Sequence, residues 1–556
     1  MIKDIKLQFG SHPEGDKLLI ETTPVTVFVG PNNSGKSKLL SEIQEFCGQG
    51  VKNHNFKLID DISFFELNEE QQTNEIKKHL LTPNANERVN QGHVLFGNGQ
   101  ARHQLPEAFP KQILSSPNGQ KQQFCQYYLS YKTLKLDALN RITLIKEQPL
   151  GDMQNSPTNH LAILFHDDDK RVEARRIIYD AFKLYFVLDP TKAGQIRIRL
   201  SKTEPENHQQ ERGLHKEAVE FHRNALEITL ASDGVKAFTG IITSIIAGNP
   251  KVTILDEPEA FLHPSLSFKL GKEISHSAKN EFNRLFVSTH SSNFLMGCIQ
   301  SGAPINIVRL TYSNDVGTAR LLDKHKIEAL MKDPLLRSTG VLNALFYKYV
   351  IVTEGDSDRA FYQEINERLL QFLPESAIDN CLIINAVGKD TIWKIVKPLR
   401  EMGIPAVGIY DIDILKNEGS NWTNALKSSF VPEISHQPLG QTRSLLKLKF
   451  EELGKDMKKD GGINALPDQE KEAANNLFNQ LEEYGIFSVR IGEVEHWLSN
   501  LNVNAHKSIW ISEIFDKMGS DPTTHDYIRP SDDDVWDFIK RISIWMRNEK
   551  RKGIPK

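Results

Sequence analysis

The sequence predicts an α/β protein in two successive parts, the second with a parallel sheet. Three observations carry this reading. Short apolar runs rich in β-branched and aromatic residues recur along the chain: Val25–Val29, Val252–Leu255, Phe286–Thr289, Tyr349–Val352 and Ile404–Ile409. Most of them end in a glycine-rich or acidic loop. Helical patterns stand between them, which is how strands of α/β folds are connected. The length of 556 residues corresponds to about three to five domain-sized units, ample for cores without disulfides. With 39% hydrophobic and 25% charged residues, collagen-like and wholly disordered readings are excluded.

Near the start, Leu7 and Phe9 alternate with polar neighbours before a turn region at Gly10–Gly15. The strand Val25–Val29 runs straight into Gly30-Pro31-Asn32-Asn33-Ser34-Gly35-Lys36-Ser37, followed by Leu39, Leu40 and Ile43 at helical spacing. Strand, G-x-x-x-x-G-K-S and helix make a P-loop in its required context. Gly30 and Gly35 let the backbone of the loop, with Asn32 and Asn33 in it, turn its amides toward phosphates. The helix N-terminus adds positive field. Lys36 would reach the β and γ oxygens, and Ser37 would offer a hydroxyl to Mg²⁺.

Residues 51–130 read as polar and turn-rich, and strand-like character returns at Leu134–Ile145. A Pro/Gly/Asn connector spans residues 149–160, and Asp167-Asp168-Asp169 reads as a solvated loop. Residues 170–188 predict one amphipathic helix, with Val172, Ile177, Ile178, Ala181, Phe182 and Tyr185 on its apolar face. It is either a surface helix or a subunit contact. Ser232 and Gly234 precede the apolar helix Phe238–Ala247, as an anion-binding turn or an ordinary cap. The strand Val252–Leu255 ends in Asp256-Glu257-Pro258-Glu259, the Walker B arrangement. Asp256 would hold the Mg²⁺ shell, and Glu257 would orient or deprotonate the attacking water. His290, closing the next strand, stands where a γ-phosphate sensor would stand.

After a polar helical passage over residues 325–340, the strand Tyr349–Val352 leads to Glu354-Gly355-Asp356-Ser357-Asp358. The glycine is expected to free the turn, and Asp358 to open a helix. Leu382–Ile384 and Ile404–Ile409 are further strands, and the latter ends in Tyr410-Asp411-Ile412-Asp413. In an extended segment Asp411 and Asp413 would face the same side. Carboxylates at the ends of parallel strands gather where α/β sheets bind ligands, and hard oxygen donors suit Mg²⁺ or Mn²⁺. The last helix is expected to begin at Ser531, with Asp534 completing a capping-box-like start. Lys540, Arg541, Arg547, Lys550, Arg551 and Lys552 follow as a basic end, either a solvated tail or a phosphate contact.

The residues Gly30–Ser37, Ser232–Lys236, Leu255–Pro264 and Ser288–Ser291 resemble the ABC-type ATPase head of the SMC and RecF group. In such heads the signature helix closes on nucleotide held by another subunit. Glu354, Asp358, Asp411 and Asp413 resemble the Toprim domain. ATPase head then Toprim domain is the order of the OLD (overcoming lysogenization defect) family, and the Glu354–Asp358 spacing resembles its Gabija-type and retron-associated members. The resemblance implies ATP and Mg²⁺ (or Mn²⁺) as cofactors and a metal-dependent DNA endonuclease in anti-phage defence. It also implies homo-oligomers through the heads, and a helicase or a reverse transcriptase–RNA module as partners. It assigns metal chemistry to Glu354, Asp358, Asp411, Asp413 and one further acid, Glu495 or its competitor Glu493. It also assigns a catalytic lysine, for which Lys540 is the candidate. The expected organisation is ATPase over 1–160 and 223–340, a helical insertion over 161–222, and Toprim with a helical extension over 341–556.

The formal net charge of −4 excludes a generally basic nucleic-acid coat, so DNA contact would need a local patch and be salt-sensitive. Four cysteines without C-x-x-C spacing predict neither disulfides nor zinc. The absence of a signal-like N-terminus or an apolar run of about 18 residues predicts a cytoplasmic protein without a membrane span.

Overall fold

The structure is a computed structural model. It describes all residues except 84–86, 99–100, 138–139, 155–156, 249, 279–281, 314–315, 335–339, 506 and 556. Parts of the strand-like segment 134–145, the connector 149–160 and the passage 325–340 therefore lie outside the described residues. The chain divides into two compact units: Met1–Val29 with Asn33–Lys324, and His325–Lys556 with Gly30–Asn32.

The first unit is organised by a six-stranded sheet. Its order is Val316–Leu322, Ile305–Ser313, Val25–Val29, Arg284–Ser288, Val252–Asp256 and Thr133–Leu136. All neighbours are parallel except the hairpin between Val316–Leu322 and Ile305–Ser313. The P-loop strand is buried at every position, as expected of a strand covered on both faces. The strand carrying His290 at its end lies between the P-loop strand and the Walker B strand. Helix Lys36–Gln49 buries Leu39, Leu40, Ile43, Phe46 and Cys47. It also buries Glu42, whose carboxylate accepts from the backbone N–H of Lys57 (2.8 Å), Leu58 (3.0 Å) and Ile59 (2.9 Å).

Three expectations in this unit are corrected. The segment 51–130 is not mainly turns. It forms strand Ile59–Phe64, helix Glu69–His79 and a three-stranded sheet. Asn68 and Gln71 cap that helix reciprocally, a start signal hidden in a polar stretch. The predicted helix 170–188 is instead helix Asp168–Phe182 followed by strand Tyr185–Asp189. Lys183, in the left-handed region at φ 58°, ends the helix. The β-prone run after it pairs antiparallel with Gln195–Ser201. Tyr185 thus leaves the apolar helix face, and residues 161–222 hold a β-hairpin as well as helices. Asp167–Asp169 is not a free loop. Asp167 caps the helix through Lys170 N–H (3.1 Å), and Asp168 pairs with buried Arg171 at 2.6 Å.

The second unit is built on a four-stranded, wholly parallel sheet ordered Cys381–Asn385, Tyr349–Thr353, Ala406–Asp411 and Ile486–Val489. Helices Asp356–Phe372 and Lys389–Glu401 connect the first three strands. Phe361, Tyr362, Trp510, Trp536 and Phe538 are buried in its core. Each buried side chain of this size contributes about 1.5–3 kcal/mol. The final helix runs Asp534–Arg547 with Asp533 as its cap residue, so it starts later than Ser531 and lacks the capping box. Asp534 instead accepts from Leu498 N–H (2.9 Å) and tethers the helix to the preceding segment. Among the described residues, no helix is long and apolar enough to cross a membrane.

Candidate functional site

Along the P-loop, Gly30 and Gly35 have φ of 145° and 92°, which only glycine takes up without strain, and Asn33 is left-handed at 61°. Lys36 is 5% exposed, with its Nζ 3.3 Å from Ser34 Oγ. Burial lowers its pKa to about 8, against the pull of Glu257, Asp256 and Glu259. Ser37 Oγ donates to Asp256 Oδ1 at 3.0 Å, and Ser288 donates to the same oxygen. The hydroxyl and carboxylate offer hard oxygens side by side, a fit for Mg²⁺.

Glu257 is left-handed at φ 48°. Its N–H donates to Ser288 O (3.0 Å), and its carbonyl accepts from Arg141 at 2.5 Å. Its Oε1 lies 3.3 Å from His290 Nε2. Burial, then the charge of Lys36, lowers the His290 pKa, so the ring is neutral near pH 7. Glu259 holds the loop before His290: Oε1 accepts from Thr289 Oγ1 and His290 N–H, both at 2.7 Å. Its other oxygen is buried with no hydrogen-bond partner. Sequence reasoning missed Arg141, which lies far from any motif. It passed over the role of Glu259, although the D-E-P-E run displays it. Ser232 is exposed and directly precedes helix Asp233–Gly248, where Gly234 approaches Phe261 O too closely for a side chain (2.8 Å from a built Cβ).

The second unit gathers carboxylates at the carboxyl ends of its strands. Glu354 Oε1 accepts from Asp411 N–H (3.0 Å), and Glu354 O accepts from Gly388 N–H (2.8 Å). Asp358, in the first turn of its helix, accepts from Gly355 N–H at 2.8 Å. Gly355 itself is extended at φ −131°, so the turn does not require glycine. A Cβ there would instead crowd Asp358 Oδ2 at 3.3 Å. Asp411 ends its strand and Asp413 sits on the 3₁₀ turn Ile412–Lys416, so extended alternation does not bring them together. One ammonium does: Lys458 Nζ is 2.5 Å from Asp411 Oδ2 and 3.8 Å from Asp413 Oδ2. It is also 3.8 Å from Glu493 Oε2. Lys389 Nζ holds Asp413 Oδ2 at 2.9 Å, while Asp413 Oδ1 is buried with no hydrogen-bond partner.

Ile412 N–H donates to Gly492 O (3.0 Å), which ties the Asp411–Asp413 turn to the segment bearing Glu493 and Glu495. Burial, then neighbouring acids, raises the Glu354 pKa; Asp411 leads among those acids. Burial also raises Asp411, with Lys458 opposing. Asp358 is raised by burial and by Glu495 and Glu493, so both competing acids act on this site. Burial works to lower the Lys458 pKa, but Asp411, Asp413 and Glu354 outweigh it and push it up. Among the described residues, no three His, Cys, Asp or Glu side chains already stand in position to hold an ion. The donors are nonetheless the hard oxygens that Mg²⁺ or Mn²⁺ prefers, and Asp413 Oδ1 offers an unused one.

Residues 25–296 match the family described as "AAA domain, putative AbiEii toxin, Type IV TA system". Residues 345–413 match "Overcoming lysogenization defect protein-like, TOPRIM domain". An ATPase domain followed by an OLD-like Toprim domain matches the make-up of an OLD-family ATPase–Toprim protein. The chain is also similar to solved SMC heads. The SMC head bound to the C-winged helix domain of ScpA is 15% identical, covering 59% of this chain and 99% of that one, with a TM-score of 0.35. The head domain from Thermotoga maritima is 15% identical (58% and 99% covered, TM-score 0.29). The head with extended coiled coil, bound to a ScpA domain derived from Pyrococcus furiosus, is 12% identical (60% and 98% covered, TM-score 0.32). No curated protein matches the sequence.

The OLD-family Toprim match ends at Asp413, yet Lys458, Glu493 and Glu495 come from beyond it. Lys540 is not drawn to these acids. Its ion pair is with Asp532 at 3.6 Å, on a side chain 42% exposed. The lysines among the carboxylates are Lys389 and Lys458, the latter missed because it sits in an unpatterned polar loop.

Proposed function

We propose that this protein binds and hydrolyses ATP and cuts DNA by divalent-metal-dependent phosphodiester hydrolysis, with nucleotide state controlling access to the Toprim site. The observation that carries this is the convergence of Glu354, Asp358, Asp411, Asp413 and the Glu493–Glu495 segment on the Toprim sheet edge. The assignment of residues 1–160 and 223–340 to the ATPase, 161–222 to an insertion and 341–556 to the nuclease belongs to the same proposal. So do head-to-head association through Ser232 and a role in anti-phage defence.

At the ATPase site, Lys36 and the loop amides would bind the phosphates, and Ser37 and Asp256 would hold Mg²⁺. Glu257, paired with neutral His290, accepts the proton of the attacking water while His290 senses the γ-phosphate. At the Toprim site, Asp411, Asp413, Asp358 and Glu495 would hold the ions. Bound ions supply stabilisation of the attacking and leaving oxygens of an in-line displacement. Glu354 has one oxygen committed to Asp411 N–H. Its other oxygen takes a proton from water, a task suited to a carboxylate whose pKa is raised.

The test is cleavage of plasmid and linear DNA with Mg²⁺ or Mn²⁺, with and without ATP. Asp411→Ala is expected to lower cleavage by at least about 100-fold. Cleavage equal to wild type would overturn the site assignment. A second reading, an ATP-switched scaffold with a non-catalytic Toprim domain, is favoured by one observation, the Lys458 ammonium already seated among the acids. It predicts ATP-dependent DNA association without nicking under any metal.

A further inference from the structure

We infer that Lys458 is a built-in counter-cation whose ammonium occupies ground that a divalent ion must take at Asp411 and Asp413, so that metal loading and Lys458 withdrawal form one exchange. This rests on the metal-site reading and adds a residue that controls how tightly that site loads.

The geometry carries it. At 2.5 Å from Asp411 Oδ2, the ammonium occupies a carboxylate oxygen that could otherwise serve as an ion ligand. It also reaches Asp413 Oδ2 and Glu493 Oε2, both at 3.8 Å, so one amine bridges both aspartates and the later acidic segment. A divalent ion in direct contact with Asp411 Oδ2 would face like charge at close range unless the amine left.

The loop is built so that the amine can leave while the backbone stays. Asp456 Oδ1 accepts from the N–H groups of Lys458 (2.9 Å) and Lys459 (3.2 Å), and Met457 is 2% exposed, which pins the turn. Lys458 O approaches Gly492 within 2.3 Å of where a Cβ would stand, so the turn lies directly on the acid-bearing segment. The Lys458 side chain is 26% exposed, with water to swing into on a flexible four-carbon stem. Lys389 differs. Among the described residues its ion pair, at the start of a helix, is with Asp413 alone.

Two measurements on the nucleotide-free full chain test this. In the first, Mn²⁺ binding is followed by electron paramagnetic resonance in wild type, Lys458→Met and Lys458→Arg. An Asp411→Ala/Asp413→Ala variant identifies the signal of this site. Lys458→Met is expected to tighten Mn²⁺ binding about tenfold, and Lys458→Arg to stay at or weaker than wild type. The second needs no variant. Amine labelling of wild type, read by mass spectrometry, is expected to rise several-fold at Lys458 on adding Mn²⁺, with Lys540 unchanged as the internal reference. Mn²⁺ binding in wild type with equal affinity in Lys458→Met, or Lys458 labelling that is constant or falls with Mn²⁺, overturns this inference and leaves the metal site standing. No Mn²⁺ binding in wild type or variant overturns both.

Discussion

Raising the pH through 8 should weaken ATP binding, and Lys36 sets the size of the effect. Burial takes its pKa from 10.5 to about 8 in the nucleotide-free protein. At about 1.4 kcal/mol per unit, that is on the order of 3 kcal/mol against the ammonium. The folded pKa lies below the unfolded one. The ammonium therefore costs stability below pH 8, and the cost is relieved between pH 8 and 10.5, where the unfolded chain holds more protons. Phosphates reverse the preference, because they bind the charged amine. Above pH 8 each binding event must then capture a proton, and affinity should fall by close to tenfold per pH unit, about 20- to 30-fold by pH 9.5. Titration of a fluorescent ATP analogue between pH 7 and 9.5 reads this directly. Lys36→Arg keeps a charge that does not titrate in this range and should flatten the profile, whatever its absolute affinity. A flat wild-type profile, or the same slope in Lys36→Arg, would refute the reasoning.

Glu259→Ala removes the shared acceptor of Thr289 Oγ1 and His290 N–H. Charge-assisted bonds of this kind contribute about 1.5–3 kcal/mol each, so phosphate release should slow at least tenfold while nucleotide affinity changes little. Glu42→Ala strands three backbone N–H groups beneath the P-loop helix. At about 1–3 kcal/mol for each unsatisfied buried donor, the first unit should melt at a clearly lower temperature by calorimetry. Lys540→Ala should cleave DNA within about twofold of wild type, since an exposed pair with Asp532 contributes about 1 kcal/mol at most. A loss matching that of Asp411→Ala would instead return Lys540 to the site.

What could be read from the sequence were the groups whose chemistry depends on immediate neighbours. Gly30–Ser37 sits between a strand and a helix, and Asp256-Glu257 and Asp411–Asp413 end apolar strands, so local pattern and function coincide. Groups brought in over long distances were not legible. Arg141 reaches the Glu257 carbonyl from 116 residues away, and Lys458 reaches Asp411 from 47. Nothing in their surroundings marks them. The helix predicted across 170–188 failed for a related reason. Helical spacing continued by chance into Tyr185, while the hairpin partner Gln195–Ser201 decided the strand. Lys540 was named because the resemblance implies a catalytic lysine in the C-terminal region, and in the structure its ammonium pairs with Asp532.

The position of Ile486–Val489 in the Toprim sheet bears on how the Toprim half could be isolated. That strand pairs with Ala406–Asp411 from beyond the family match, which closes at Asp413. A fragment trimmed to the recognised boundaries would leave the Asp411-bearing strand as a raw sheet edge, with unpaired amides inviting association between copies. It would also lack Lys458, Glu493 and Glu495. Such a fragment would be expected to aggregate and to lack part of its acid set, and silence in a cleavage assay would say nothing about the intact chain. Expression should extend at least through the helix Asp534–Arg547, whose Asp534 tethers the segment that follows the last acid.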